Sequence, residues 1–244
     1  MEPVIVARGL TKIYKTKAVR MMALNHVDLD VMPGEFCAIT GTSGSGKSTL
    51  LSLLAGLESP TAGKVFIHQN PIHRMSKGQL VKFRLHHVGF IFQSFNLFPT
   101  LTVLENATFP LACQGVRKRE REERAKDLLT MMGLGSHLNH KPVELSGGQQ
   151  QRVAIARAII TKSRIVFADE PTGNLDSKTS EEIMDILRGI VIQNGTTLLM
   201  VTHDMEKARH ADRVIHLSDG MITDTGPMKE YGWIRVLDGK EEIE

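Results

Sequence analysis

The sequence is poor in cysteine, in aromatics and in charge of one sign, and it has no long apolar run. Cys37 and Cys113 are the only cysteines among 244 residues. No disulfide framework therefore holds the chain, and two isolated thiols fit a reducing compartment as packed small hydrophobes. Lysine and arginine number 30 against 27 acidic residues, a net charge of +3, which makes no electrostatic case for nucleic acid. No stretch approaches the roughly 18 apolar residues that span a bilayer. The opening MEPVIVARGLTK, with Glu2 and one short apolar run, does not read as a signal peptide. These absences predict a soluble protein of the cytoplasm.

Other features are equally bland. RKREREERAKD, residues 117–127, interleaves acids and bases and reads as a solvated helix face. His86 and His87 are adjacent and point apart on any regular element, while His137 and His140 have no neighbouring Cys or carboxylate cluster to complete a metal set. The 12 methionines are scattered and read as core filler. There is no internal repeat and no low-complexity tract.

What is present is ordinary globular composition, 41% hydrophobic and 23% charged, arranged in two rhythms. Short β-rich runs at 4–7, 27–31, 36–40, 64–67 and 88–92 are separated by turn signals such as Met32-Pro33-Gly34. The middle third turns helical, at 77–85, 103–111 and 118–132. From 165 onward, apolar strands at 165–168, 196–201 and 213–217 alternate with helices at 177–193 and 203–210. That alternation predicts an α/β fold with a mostly parallel sheet, whose ligands lie beyond the strand C-termini.

The sharpest motif follows the strand 36–40. Gly41, Thr42, Ser43, Gly44, Ser45, Gly46, Lys47 and Ser48 spell a phosphate-binding loop that opens a helix at Thr49. The glycines let successive N–H groups converge on phosphate oxygens, Lys47 reaches the β/γ-phosphates, and the Ser48 hydroxyl can ligate Mg²⁺. Farther on, an apolar strand ends in Asp169 and Glu170. There Asp169 can hold the cation and Glu170 can deprotonate an attacking water. His203 and Gln93 each follow a strand and so belong to the same ligand edge, His203 as a γ-phosphate contact and Gln93 as an amide ligand to Mg²⁺ or water. A second glycine turn, Ser146, Gly147, Gly148 and Gln149, opens a helix of its own, although one nucleotide does not obviously need two such cradles.

Taken in this order and spacing, the phosphate loop, Gln93, L-S-G-G-Q at 145–149, Asp169-Glu170, Asn174-Leu175-Asp176 and His203 resemble the ATP-binding cassette (ABC) ATPases over residues 4 to 226. The resemblance implies a P-loop NTPase core at about 1–92 and 163–226, an antiparallel β region, an inserted helical subdomain at about 93–162 and a C-terminal extension at 227–244. It implies ATP and Mg²⁺ as ligands and hydrolysis as the reaction. It also explains the second turn: in this family subunits form head-to-tail dimers on binding ATP, and the signature of one chain closes over nucleotide held by the other. Tyr14 is then expected to stack on adenine and Asp176 to relay between the two sites.

FIFQSFNLFPTLTVLENA, ADEPTGNLDS and YKTKAVRMMALNHVDLDV look like the lipoprotein-release, macrolide-efflux and antimicrobial-peptide-export ATPases. Those are peripheral on the inner face of the membrane and work with a separate permease. An amino-acid importer ATPase and a regulatory cassette of a membrane complex, as in cell division, are the alternatives. Phe95, Leu97 and Phe98 are expected either to line a groove for a permease helix or to pack under the helical lobe.

Overall fold

The computed structural model describes residues 2–15 and 20–227. Apart from Pro227, the expected C-terminal extension therefore lies outside the described residues. In chain order the elements are β1 (Ile5–Lys15), β2 (Arg20–Val31), β3 (Phe36–Thr40), α1 (Lys47–Leu54), β4 (Ala62–Ile67), β5 (Asn70–Pro71), α2 (Lys77–His87), β6 (Val88–Ile91), α3 (Val103–Cys113), α4 (Lys118–Met131), α5 (Gly147–Ile159), β7 (Ile165–Asp169), α6 (Ser177–Asn194), β8 (Thr197–Val201), α7 (Met205–Ala208), β9 (Arg213–Ser218) and β10 (Met221–Pro227).

Two sheets form. One is antiparallel, in the order β2-β1-β4-β5, and the other runs β10-β9-β3-β8-β7-β6. In the second sheet β9 to β6 are parallel and only the edge strand β10 is antiparallel. Strands buried on both faces read as continuous apolar runs, and the alternation of side chains divides each run between two cores. Phe36 and Ala38 of β3, Val166 and Ala168 of β7, and Leu198 and Met200 of β8 point into a core shared with α3, α4, α5 and α6. Cys37, Ile39, Ile165, Phe167, Leu199 and Val201 point the other way, into a core shared with α1 and the antiparallel sheet. The expected α/β class, with a mostly parallel sheet, an antiparallel region and packed helices between β6 and β7, is what the structure contains.

The helices of the middle segment are local in origin. Thr102 and Glu105 form a reciprocal capping box that starts α3, and Val103, Ala107 and Leu111, spaced four apart, give it one buried face. The interleaved charges of α4 pair one turn apart, as in Arg119 with Glu123 and Arg124 with Glu120, while Ala125 and Leu129 face the core. The solvated reading of that segment stands. No helix among the described residues is long and apolar enough to cross a membrane.

Several sequence expectations change, among them the packing of Cys113, which is exposed, and of Met21, Met22 and Met131, which are exposed rather than core filler. The helix expected at 77–85 to join the helical lobe is α2, which buries none of its residues and packs instead beside β6. The helix expected at 203–210 is the single turn α7, started by the Asp204 side chain, so His203 lies in the connection ahead of it. The strand β10 was not anticipated, because its exposed positions, with Gly226 and Pro227, carry no apolar alternation.

Candidate functional site

Parallel pairing brings the C-terminal ends of β3, β6, β7 and β8 to one edge of the sheet. Gly41 follows β3, Gln93 lies just beyond β6, Asp169 ends β7 and His203 follows β8. All four come from segments distant in sequence, and the edge is where an α/β sheet places its ligand.

The phosphate loop is shaped by close backbone approach. Gly41 has φ 145° and Gly46 φ 103°. A Cβ on Gly41 would lie 2.1 Å from the Leu217 carbonyl oxygen, and one on Gly46 2.4 Å from that of Ala23. Any side chain there displaces the loop. Lys47 Nζ donates to the carbonyls of Gly41 at 2.9 Å and Thr42 at 2.8 Å, so the lysine braces the loop from within. Gly46 starts α1 without a side-chain cap, which leaves the first N–H groups of that helix for another acceptor. Ser45 Oγ is buried with no protein partner. A cradle of free donors that excludes any Cβ fits a phosphate group. Thr42, Ser43 and Gly44 complete the turn, and Gly44, Lys47, Ser48 and Thr49 line an open pocket of about 550 Å³ with Met21, Met22, Glu170 and His203.

At the carboxylate side, Ser48 Oγ donates to Asp169 Oδ1 at 3.0 Å. Burial raises the Asp169 carboxyl above its ordinary value, with Glu170 pushing the same way and Ser48 and Lys47 opposing. Glu170 is held from both sides: His203 Nδ1 lies 3.0 Å from Oε1, and Gln93 Nε2 donates to Oε2 at 3.3 Å. Its backbone is left-handed, φ 44°, and its N–H donates to the Val201 carbonyl at 3.0 Å. A non-glycine residue in that region stores strain, a trait of functional positions.

A hydroxyl, a carboxylate and an amide oxygen form the hard donor set that suits Mg²⁺. Ser48 and Asp169 already meet, whereas Gln93 is turned to Glu170. No cluster of three or more His, Cys, Asp or Glu suited to a metal occurs among the described residues. A cation at Ser48 and Asp169 thus depends on ligands from outside the protein, as the phosphates of a nucleotide supply.

The second glycine turn is built for packing as well as for exposure. Ser146 caps α5 in a box with Gln149, and Gln149 Nε2 sits 3.3 Å from His137 Nε2. A Cβ on Gly148 would meet the Thr179 methyl at 2.4 Å, and one on Gly147 would meet Leu175 at 3.2 Å. The turn therefore lies against the start of α6, where Asp176 accepts from Thr179 N at 3.0 Å and from its hydroxyl at 2.6 Å. Those bonds depress the Asp176 carboxyl below its usual range. Ser146 is exposed, and no residue of this turn lines the phosphate-loop pocket.

Two functional-site contacts escape the sequence. Asn174 Nδ2 donates to the Gln93 carbonyl at 3.0 Å, tying the segment after Glu170 to the strand-end glutamine. Arg157, on the buried face of α5, donates to the carbonyls of Asn96 at 2.5 Å and Phe95 at 2.7 Å, both residues being left-handed with φ 50° and 60°. Those bonds fix the backbone of the Phe-rich loop against α5, while Phe98 stays exposed. Leu97 packs on the core, and the Phe95 ring lies near Gly147. The open apolar groove of about 420 Å³ is instead lined by Leu57, Val81, Leu85, Phe90, Phe92 and Phe109, with Cys113 and Arg157 at its wall. None of the three residues expected there lines it, although the Phe98 ring lies 4.6 Å from that of Phe109 and the Phe95 N–H donates to the Phe92 carbonyl.

Tyr14 lies on β1, paired with Met21 of β2, a residue that lines the phosphate-loop pocket. Its hydroxyl donates to Glu58 at 2.9 and 3.1 Å.

Comparison with known proteins adds four likenesses. The family model described as ABC transporter matches residues 24–173. The chain is 45% identical over 221 residues to the lipoprotein-releasing system ATP-binding protein LolD 2 of Caulobacter vibrioides, covering 91% of this chain and 97% of that one. It is 43% identical over 222 residues to the macrolide export ATP-binding/permease protein MacB of Wolinella succinogenes, 91% of this chain but 34% of that longer protein. Among solved structures, a dimeric ATP-binding cassette in a post-hydrolysis state, bound to ADP and Pi, superposes with a TM-score of 0.86 at 42% identity over 92% of this chain and 98% of the other.

Proposed function

The chain belongs to the ABC transporter family as an ATP-binding, ATP-hydrolysing cassette, and from that premise we propose that two copies meet head to tail around two ATP molecules to drive a membrane permease. The observation that carries the mechanism is the Glu170 carboxylate, strapped between His203 and Gln93 one residue from the Asp169–Ser48 contact at the phosphate loop.

Each residue then has a task. The N–H groups from Gly41 to Thr49 bind the β- and γ-phosphates, and Lys47 leaves the Gly41 and Thr42 carbonyls to reach them. Ser48, Asp169 and Gln93 would hold Mg²⁺, which would supply positive charge to offset that of the transferring phosphate. Glu170 takes the proton from the attacking water, and His203 and Gln93 keep its two oxygens aimed. Ser146 to Gln149 acts on the partner's nucleotide: Ser146 at its tip is exposed, the turn is capped from within, and none of it lines its own chain's phosphate pocket, as an interfacial element requires. Asp176, which caps α6 beside that turn, faces the same interface and links the sites. Tyr14 receives adenine.

The groove walled by Val81, Phe90, Phe92 and Phe109 receives an apolar permease helix, seating the cassette on the inner face of the cell membrane. The likeness to a protein named for both ATP-binding and permease functions supports such a partner. The cargo proposed is of the lipoprotein, macrolide or peptide kind, taken out of the membrane or the cell. Replacing Glu170 by Gln tests the reading: ATP should convert the variant to a long-lived dimer in light scattering, with hydrolysis lost. A variant that hydrolyses at the wild-type rate refutes it.

A further inference from the structure

Tyr14 is fixed more firmly than a strand-end aromatic needs to be. Its hydroxyl donates to both oxygens of Glu58. Lys12, two residues earlier on β1, joins the same carboxylate at 2.9 Å and donates to the Ser59 carbonyl, also at 2.9 Å. Its ammonium lies 4.9 Å from the centre of the Tyr14 ring.

That anchor belongs to α1: the helix opens at Lys47 and Ser48, and Glu58 closes its far end, its N–H donating to the Ser52 carbonyl. Tyr14 itself belongs to the other sheet. One hydroxyl thus indexes an aromatic ring on the antiparallel sheet to the helix that opens at the phosphate loop. A ring tethered at its hydroxyl loses freedom at both side-chain torsions, and a cation over one face leaves the opposite face for a planar guest.

We propose that Glu58, together with Lys12, is a positioning pair that holds the Tyr14 ring at a fixed offset from the phosphate loop, and that this pair sets how strongly the nucleotide base contributes to binding. The proposal rests on the reading of Tyr14 as the base platform and extends it to two residues that touch no nucleotide. Stacking of a base on an aromatic ring is worth about 1–3 kcal/mol, sequence-tolerantly, but only when the ring does not have to be ordered first. Ordering a rotamer-rich side chain on binding costs enough to weaken affinity about three- to tenfold.

The test compares ATP with inorganic tripolyphosphate, which carries the phosphates without the base, in equilibrium binding to the full chain. Glu58→Ala should weaken ATP about three- to tenfold and leave tripolyphosphate unchanged. In a Tyr14→Ala background the same substitution should add nothing, because its effect passes through the ring. Glu58→Gln, which keeps an acceptor for the tyrosine, should recover part of the loss. Lys12→Met, which bares the covered face, should weaken ATP alone.

Equal losses for ATP and tripolyphosphate, or additive losses in the double variant, overturn the proposal in favour of a plain tie between β1 and α1. If Tyr14→Ala weakens ATP selectively while Glu58→Ala and Lys12→Met do not, the base platform survives and the positioning pair falls. If Tyr14→Ala leaves ATP binding intact, both fall. Should Glu58→Ala fail to fold, Glu58→Gln and Lys12→Met decide by the same comparison.

Discussion

The imidazole Nδ1 of His203 lies 3.0 Å from Oε1 of Glu170, although the two residues are 33 apart in sequence. A carboxylate with both oxygens engaged keeps one orientation, and proton transfer depends on that orientation more than on proximity alone. His203→Ala should therefore lower the turnover of ATP by about 10²-fold, the low end of what a positioned acid or base contributes, while the ATP dissociation constant stays within about threefold. Steady-state phosphate release set against equilibrium ATP binding reads both. A parallel loss of binding would place His203 on the ground-state nucleotide instead.

The proposed sandwich makes a mixing prediction. Ser146→Arg alone and Lys47→Ala alone should each be inactive, since every composite site in either dimer carries one lesion. Mixed in equal amounts, they form heterodimers with both lesions in one site and none in the other. Activity should return, to at most about a quarter of wild-type sites for random two-fold pairing. A mixture as inactive as its components would mean that each site is built within one chain.

Asp169 predicts opposite effects on stability and function. Burial raises its pKa in the folded protein, so the folded state holds the proton more tightly than the unfolded one. Its favourable contribution is complete below the unfolded value, near pH 4, and is lost as pH rises through the raised folded value. Asp169→Asn keeps an acceptor for Ser48 and has no charge to desolvate. Nucleotide-free Asp169→Asn should melt about 1–3 °C above the wild type at neutral pH, the gap opening as pH is raised from about 4, and Mg²⁺-dependent hydrolysis should vanish. Differential scanning calorimetry across pH provides the check, and a gap that closes with rising pH contradicts the sign.

The groove yields a docking prediction. Val81 and Phe109 are 56% and 39% exposed, and neither touches the phosphate pocket. A Val81→Glu, Phe109→Ser double variant should bind ATP as the wild type does and lose its membrane protein in pull-down from membranes. Leu97→Ser, which removes a side chain packed on the core, should instead lower thermal stability by about 1–3 kcal/mol. Retained permease binding in the groove variant would move the docking surface elsewhere.

How much of this was legible in the sequence depends on whether the signal is local. The phosphate loop, the Asp169-Glu170 strand tip and the Ser146–Gln149 cap each occupy a few consecutive residues, and backbone rules fix their shape, so each is legible as a motif; in the fold the first two share one sheet edge and the third lies against the start of α6. Strand alternation gave the parallel sheet because strands buried on both faces are apolar throughout. What stayed hidden is long-range. Arg157 reaches Phe95 and Asn96 across 62 and 61 positions, and Asn174 reaches Gln93 across 81. Nothing in the composition of either end announces its partner. The Phe-rich loop is of the same kind: its apolar residues offered either a groove or packing under the helical lobe, and in the fold Leu97 packs on the core, Phe98 stays exposed and a different set of aromatics lines the groove.

The left-handed backbone of Glu170 bears on how this protein would fare under laboratory evolution. A non-glycine residue in that conformation costs about 1–3 kcal/mol, and glycine or asparagine would relieve most of it. A library screened only for heat tolerance would therefore enrich Glu170→Gly and Glu170→Asn, chains that endure longer and no longer turn over fuel. On the proposed role of Glu170, a thermostabilisation campaign must hold position 170 fixed or score transport in every round, because survival in the heat and performance of work would pull that single residue in opposite directions.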